Sequence, residues 1–297
     1  MIDIAFIGLS LGSILLLVAL GLTITYGAMG VINMAHGEMV MLGAYTTVLA
    51  KLYLGLPFLL VIPLAFIVTA MVGWLIERLL VRRLYGRMID TLLATWGVAI
   101  LLQQAIRLEF GLVYFGIHID GLGPNLQKVD VPSYLQGAIS VHGVEINAYR
   151  ALIIVATSLL AALTWFIHAK TSIGLQVRAI MRNRDMAACC GVNVSRVNSL
   201  TFAFGSGLAG VAGVLMSGFK TVFPDMGSSM VVDGFLVVVV GGIGSLFGAI
   251  AASGLLGEIN GVVAVVSNDI IARAVVFATV IVIIILKPSG LFSFKGR

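Results

Sequence analysis

Apolar stretches long enough to cross a bilayer, about 20 residues each, recur from end to end of this chain, parted by short segments that carry most of its charge. The clearest are residues 4–22, 57–80, 91–106, 151–169, 197–218 and 270–286. Their hydrophobicity is continuous, which predicts helices; a membrane β-barrel would alternate apolar and polar positions instead. Residues 231–266 are too long for one crossing and predict a hairpin that crosses twice or dips and returns, bent at Gly241, Gly242 and Gly244. Residues 27–50 are different. Gly27, Gly30, Gly37 and Gly43 interrupt them, and Asn33, His36 and Glu38 sit at their centre. Polar, irregular backbone at membrane depth is tolerated only where protein buries it or a watery cavity meets it, and broken helices mark solute paths in many transporters. The pattern predicts an all-α, polytopic integral membrane protein with about eight transmembrane helices and room for one re-entrant segment. The side of the amino end depends on whether 27–50 crosses, and both arrangements stay open at this point.

Charge orients the helices. Arg78, Arg82, Arg83 and Arg87 form one basic cluster; Lys170, Arg178, Arg182, Arg184 and Arg196, against Asp185 alone, form a second; Lys287, Lys295 and Arg297 form a third. Basic clusters beside spans stay in the cytoplasm, which puts the C-terminus there too. Residues 107–150 balance Arg107, Lys128 and Arg150 against Glu109, Asp120, Asp130 and Glu145, as suits an outer loop. The whole chain, 1–297, is expected to be one transmembrane domain, with 107–150 as outer loop and 170–196 as a cytoplasmic region.

Composition narrows the function. Only 10% of residues are charged and mean hydropathy is +1.12, whereas soluble proteins carry about 25% charged residues, so a soluble fold is excluded. The net charge of +5 comes from residues at span ends, so it reads as topology and not as nucleic-acid binding. Cys189 and Cys190 are adjacent and predict small packing residues, not a bridge. His36, His118, His142 and His168 are scattered without ligand spacing, so no metal site is predicted. No Gly-Lys pair exists anywhere, hence no phosphate-binding P-loop, and an enzyme is not expected. The start, Met1-Ile2-Asp3, lacks the basic residues and cleavage site of a signal peptide and predicts a retained first span.

Ionisable groups inside spans are functional candidates. Glu38 with His36 and Asn33 is the strongest set, joined by Thr95 and Gln103 as donors and acceptors along a solute path. The same set also fits a buried polar knot that fixes helix packing, and Gln103 and Gln104 also fit bonds to a neighbouring helix. Asp233 and Glu258 predict interfacial positions. Asp269 and Arg273, four apart, predict an ion pair. Gly205, Ala209 and Gly213 recur every fourth residue, the spacing that lets helix backbones approach closely. Within the basic island, Leu175, Ile180, Met181, Ala187 and Ala188 fit one face of a short helix ended by Gly191. The island is either a plain connecting loop or a docking element.

Several stretches together resemble one family. Asp185-Met186-Ala187-Ala188-Cys189-Cys190-Gly191 resembles the E-A-A-x-x-x-G coupling loop of ABC importer permeases, with Asp185 in the glutamate position and Met186 in place of an alanine. Gly30-Val31-Ile32-Asn33-Met34-Ala35-His36-Gly37-Glu38 resembles the I-N-x-A-H-G-E signature of branched-chain amino acid ABC permeases. Val232-Asp233-Gly234-Phe235 running on to Gly244, and Lys287-Pro288-Ser289-Gly290-Leu291-Phe292, are similar to that family as well. Three pieces lean to its urea branch: residues 90–97, 183–188 and 292–297. The resemblance implies the first of two permease subunits of a bacterial inner-membrane urea importer. It implies as partners a second homologous permease, two ATP-binding cassette subunits and a periplasmic solute-binding protein, with membrane lipid around the spans. ATP would be held by the cassettes and no cofactor by this chain. It assigns Arg178, Arg184, Asp185, Ala187, Ala188 and Gly191 to ATPase coupling, and alternating access to the spans. A branched-chain amino acid or short-amide permease is the alternative within the family. A self-sufficient channel or proton-coupled transporter working through Glu38 is the alternative outside it.

Overall fold

The computed structural model describes residues 2–141 and 144–292. His142, Lys295, Arg297 and the stretch after Phe292 lie outside the described residues, as does the side chain of Glu145. The helices are α1 (Ile2–Met29), α2 (His36–Leu54), α3 (Phe58–Leu79), α4 (Met88–Arg107), α5 (Ala148–Lys170), α6 (Ser172–Arg182), α7 (Arg184–Cys189), α8 (Val194–Ser217), α9 (Met226–Gly241), α10 (Leu246–Val266) and α11 (Asp269–Leu286). Seven of them, α1, α3, α4, α5, α8, α10 and α11, are long and apolar enough to cross a membrane. The chain is helical as expected, with one addition: β1 (Ala138–Val141) and β2 (Val144–Asn147) pair antiparallel within the 107–150 loop.

Polar side chains set where the helices begin. Asn147, Thr171, Asn183, Asn193, Ser245 and Asn268 each accept a hydrogen bond from a backbone N–H of the following turn, at the starts of α5, α6, α7, α8, α10 and α11. Each satisfies a donor that the first turn leaves without a partner.

The core forms around α8, with 83% of its most apolar window buried. α1, α2 and α3 all pack on it, and α1 lies against α10 on its other side. The small-residue spacing seen in the sequence marks these crossings. A Cβ on Gly213 would strike the carbonyl oxygen of Val40, one on Gly210 the side chain of Thr69, and one on Gly205 would come within 2.9 Å of the Gly21 oxygen. By contrast, only 22% of the corresponding windows of α3 and α4 are buried.

The two irregular regions resolve differently. α1 runs to Met29, and Gly30 (φ 65°) breaks it. α2 then starts beside the middle of α1, where His36 Nε2 lies 3.2 Å from the Val18 carbonyl oxygen, and ends against the 107–150 loop, where Lys51 donates to the Asp130 carbonyl. Residues 27–50 thus hold a break and most of a returning helix, which has 19 residues in all and ends at Leu54, about 28 Å long. The amino-terminal part of α1 lies at the loop face, since Arg150 Nη1 donates to Ser10 Oγ at 3.0 Å. The second region bends as predicted. Gly242 (φ 96°) and Gly244 (φ 79°) turn the chain between α9 and α10, although α9 begins at Met226, ahead of the expected Val231.

The expected Asp269–Arg273 pair does not form. Arg273 faces α9 and donates to both oxygens of Asp233, at 3.1 and 2.9 Å. Asp269 stays in the first turn of α11, where a carboxylate favours the positive end of the helix. Spacing along one helix was outweighed by a partner on the next.

The 107–150 loop starts with a sharp turn at Glu109 and Phe110, both left-handed (φ 49° and 57°). The Ile119 amide donates to Glu109 Oε2 at 2.5 Å, and His118 Nδ1 lies 3.3 Å from Oε1. That amide holds the Glu109 carboxyl below the ordinary 4.5. With the folded value below the unfolded one, the contribution is full above the ordinary value and is lost as pH falls through the folded one. Protection of the Ile119 amide from hydrogen exchange, corrected for intrinsic rate, is expected to fall as pH drops below the ordinary 4.5. The Glu109→Gln variant should show no such fall.

Candidate functional site

The predicted path residues sit where α2 and α9 begin. A Cβ on Gly37 would strike the Gly227 carbonyl, so the first turns of these two short helices touch through backbone alone. Glu38, 1% exposed, projects from α2 at that contact. Its Oε1 accepts from Gln103 Nε2 at 2.9 Å, on α4, and from Ser228 Oγ at 3.4 Å, on α9; Gln103 Nε2 also donates to Ser228 Oγ at 2.8 Å. Toward the loop, Arg107 pairs with Asp225 at 2.5 Å, again joining α4 to the start of α9. Glu38 Oε2 is buried without a hydrogen-bond partner.

The remaining candidates are near but bonded elsewhere. His36, fully buried, reaches back to Val18. Asn33 Oδ1 accepts from the Ala35 amide at 3.1 Å, closing the turn that starts α2. Thr95 Oγ1, on α4, accepts from the Met34 amide at 3.0 Å and so pins the break to α4. Asn33, His36 and Glu38 are therefore neighbours that each serve a different element, and the polar cluster proper is Glu38, Gln103 and Ser228. Ser228 escaped the sequence reading because one serine among apolar residues carries no signal until the fold brings it to a glutamate.

Two cavities flank this region. The smaller, about 240 Å³, lies between α1, the break, α4 and α9 and is apolar apart from Asn33 and Tyr26. The larger, about 740 Å³, opens at the loop face between α1, α5, α9, α10 and α11, with Ser10, Arg150, Lys220, Asp233, Asn260 and Arg273 on its walls; no predicted path residue lines it. Ser10 belongs to Gly8-Leu9-Ser10-Leu11-Gly12, a run with the spacing of a hydrolase nucleophile elbow. It lies inside the continuous α1, not on the strand-to-helix turn that such chemistry requires.

The basic island folds as two helices instead of one, because Asn183 is extended (φ −160°, ψ 110°) and caps α7. Gly174, Val177, Ile180 and Ala187 are buried, while Leu175 and Ala188, expected on that inner face, are exposed. Met181 reaches two bends at once: a Cβ on Gly27 would lie 2.6 Å from its Cε, and one on Gly244 3.0 Å. Asp185, Ala188 and Gly191 face outward, Gly191 in the left-handed conformation (φ 83°) that ends the region. Arg178 and Arg184 are half-buried, and the Arg184 guanidinium lies 4.6 Å over the ring of Tyr85.

The comparisons with known proteins agree with one another. The family described as "Branched-chain amino acid transport system / permease component" matches residues 4–286. The high-affinity branched-chain amino acid transport system permease protein BraD of Pseudomonas aeruginosa is 33% identical over 96% of this chain and 93% of its own length. LivH of Escherichia coli K12 is 32% identical over the same shares. A probable branched-chain amino acid permease of Methanocaldococcus jannaschii is 27% identical over 82% of this chain and 75% of its own. No solved structure matches the chain. These relatives are transport permeases and not enzymes. With its broken helices, buried polar cluster and match from end to end, the chain belongs to the branched-chain amino acid permease family of ABC importers, as a multi-pass membrane component.

Proposed function

We propose that this chain is one of two permease subunits of an importer that moves urea across the bacterial inner membrane by ATP-driven alternating access. The observation that carries the choice of solute is the set of stretches resembling the urea branch, residues 90–97, 183–188 and 292–297. The first includes Thr95, which holds the break before α2. A small neutral solute rich in N–H donors and a carbonyl acceptor needs hydrogen-bonding groups and no fixed countercharge. Glu38 Oε2, Gln103 and Ser228 supply such groups at the meeting of α2 and α9. The second reading, a branched-chain amino acid as solute, is favoured by the names of the relatives BraD and LivH.

In this reading the ATPases dock on the outward residues of α6 and α7, Asp185, Ala188 and Gly191 among them, while half-buried Arg178 and Arg184 and buried Ala187 complete the coupling set from within this chain. A periplasmic binding protein delivers solute to the loop face. Closure of the ATPase pair shifts α6, and Met181 passes that shift to the end of α1 and to the α9–α10 turn together. The basic face and the C-terminus are cytoplasmic. A membrane-permeant thiol reagent is then expected to label exposed Cys190 in intact cells while an impermeant one leaves it untouched. The opposite result would invert the orientation.

The deciding experiment is uptake of labelled urea, and of leucine in parallel, by cells with and without this chain, its binding protein and ATPases being present in both. Loss of urea uptake alone is the expected result. Loss of leucine uptake alone would replace the solute and leave the coupling proposal standing.

A further inference from the structure

Glu77 is the one fully buried carboxylate among the described residues that the path does not use: it is 0% exposed, near the basic-cluster end of α3. No cation pairs with it. Its Oε1 accepts from the Tyr85 hydroxyl and its Oε2 from the Ser199 hydroxyl of α8, both in short contacts. A carboxylate buried this way is costly unless its oxygens are satisfied, and here each oxygen takes one O–H donor. Burial, reinforced by Glu77 itself, pushes the Tyr85 phenol well above its ordinary range, so Tyr85 remains the donor. The hydroxyl of Tyr85 also lies 3.9 Å from Met29 Sδ, at the last residue of α1. The outer face of the same ring carries Arg184, the first residue of α7.

We infer that Tyr85 is the seat of the coupling element and Glu77 the positioning residue that ties this seat to the central helix. A displacement of α7 by a partner ATPase reaches α3 and α8 through the Arg184–Tyr85–Glu77–Ser199 chain. Arg184 therefore serves transmission inside this chain, and the face offered to the ATPase is that of Asp185 and Ala188. The second route, from Met181 to Gly27 and Gly244, engages α1, α9 and α10, so the two routes meet only at the end of α1. This inference rests on the coupling role proposed above, and it fails independently of the choice of solute.

Two conservative variants separate the links. Tyr85→Phe keeps the ring under Arg184 and removes the bond to Glu77; Glu77→Gln keeps the shape and changes the acceptor. The first readout uses the full chain alone, with a spin label on Cys190 and Cys189 replaced by serine, and needs no solute. Both variants are expected to sharpen the label's spectrum, reporting an α7 released from its seat. The second readout uses the assembled importer in liposomes. ATPase co-purification is expected to be unchanged, while solute taken up per ATP hydrolysed falls about three-fold or more. Arg184→Lys, which loses the planar stacking, is expected to give a similar loss, and its double variant with Tyr85→Phe to be no worse than the poorer single one. If Glu77→Gln fails to fold, Tyr85→Phe decides alone. An unchanged spectrum and unchanged uptake per ATP in Tyr85→Phe would overturn the inference. So would losses that multiply in the double variant, or an Arg184→Lys defect explained wholly by lost ATPase binding. A wild-type importer that takes up neither urea nor leucine would count against the proposed solutes, while the spectra would still decide the seat.

Discussion

Replacing Gly213 with valine is expected to abolish the folded protein. The missing side chain at this position is filled by the backbone of α2: a Cβ would strike the Val40 carbonyl oxygen and lie 2.8 Å from the Ala44 nitrogen. Backbone atoms in a helix cannot rotate aside as a side-chain end can, so relief requires α2 and α8 to move apart. That movement would open the neighbouring contact, where a Cβ on Gly43 meets the Gly210 backbone. Even Gly213→Ala is expected to cost about 3 kcal/mol, the upper end for overpacking a close-packed site, and valine to exceed what a marginally stable bundle tolerates. The measurement is the yield of monodisperse protein and its Tm in detergent. Gly254→Ala is the control: nothing lies within 4 Å of its Cβ position, and the variant should be as stable as the parent or slightly more so, since alanine favours helix.

Replacing Glu38 with glutamine is expected to lower solute uptake about ten-fold, the loss of one strong hydrogen bond to a charged group, with yield and Tm little changed. Glutamine retains the volume and, through its carbonyl, the acceptor for Gln103 and Ser228. It converts the other atom, Oε2, from an acceptor into a donor, and Oε2 is the position with no partner inside the chain. A solute N–H would lose its acceptor there while the internal bonds persist. Ser228→Ala, which removes the 3.4 Å contact to Glu38 and the 2.8 Å acceptor of Gln103 but leaves the Gln103–Glu38 bond, is expected to have a smaller effect on uptake. Should Glu38→Gln lower Tm in step with uptake, the cluster would be a packing knot and the path would lie elsewhere.

The sequence carried the helices well and their partners poorly. Continuous apolar runs placed six of the seven long spans to within a few residues at most ends, because a span must be apolar whatever it packs against; the seventh, α10, lay undivided within the 231–266 run. The extent of α1 was missed by seven residues: Thr23, Thr25 and Gly27 look like the start of a loop, yet they lie in the helix, with Thr25 Oγ1 returning its hydrogen bond to the Gly21 carbonyl. Of the glycines expected to interrupt the chain, Gly30, Gly242 and Gly244 do so with positive φ, while Gly27, Gly37 and Gly43 lie inside α1 and α2. Pairings were another matter. Asp269 and Arg273 sit at ideal helical spacing and do not pair, and Glu38 binds Gln103 and Ser228 from distant parts of the chain. Glu77 adjoins the basic cluster that starts at Arg78 and carries no sequence signal of its own, although it faces inward to two hydroxyls. Which face of a span meets protein and which meets lipid is decided by the other helices, and one helix's composition does not reveal it.

The burial of α8 has a consequence for how the chain is made. Its mean hydropathy is 1.6, against 2.4 for α1 and 2.6 for α3, and it carries Asn198, Thr201 and Ser206 where protein surrounds them. A ribosome that has delivered the first 190 residues has placed α1, α2 and α3 in the bilayer with their grooves at Gly21, Gly43 and Gly73 shaped for a helix not yet synthesised. The close crossings at those glycines can form only once α8 has been made and inserted against them. A chain truncated before Val194 is therefore expected to keep its apolar spans yet lack the packed centre that holds α1, α2 and α3 together.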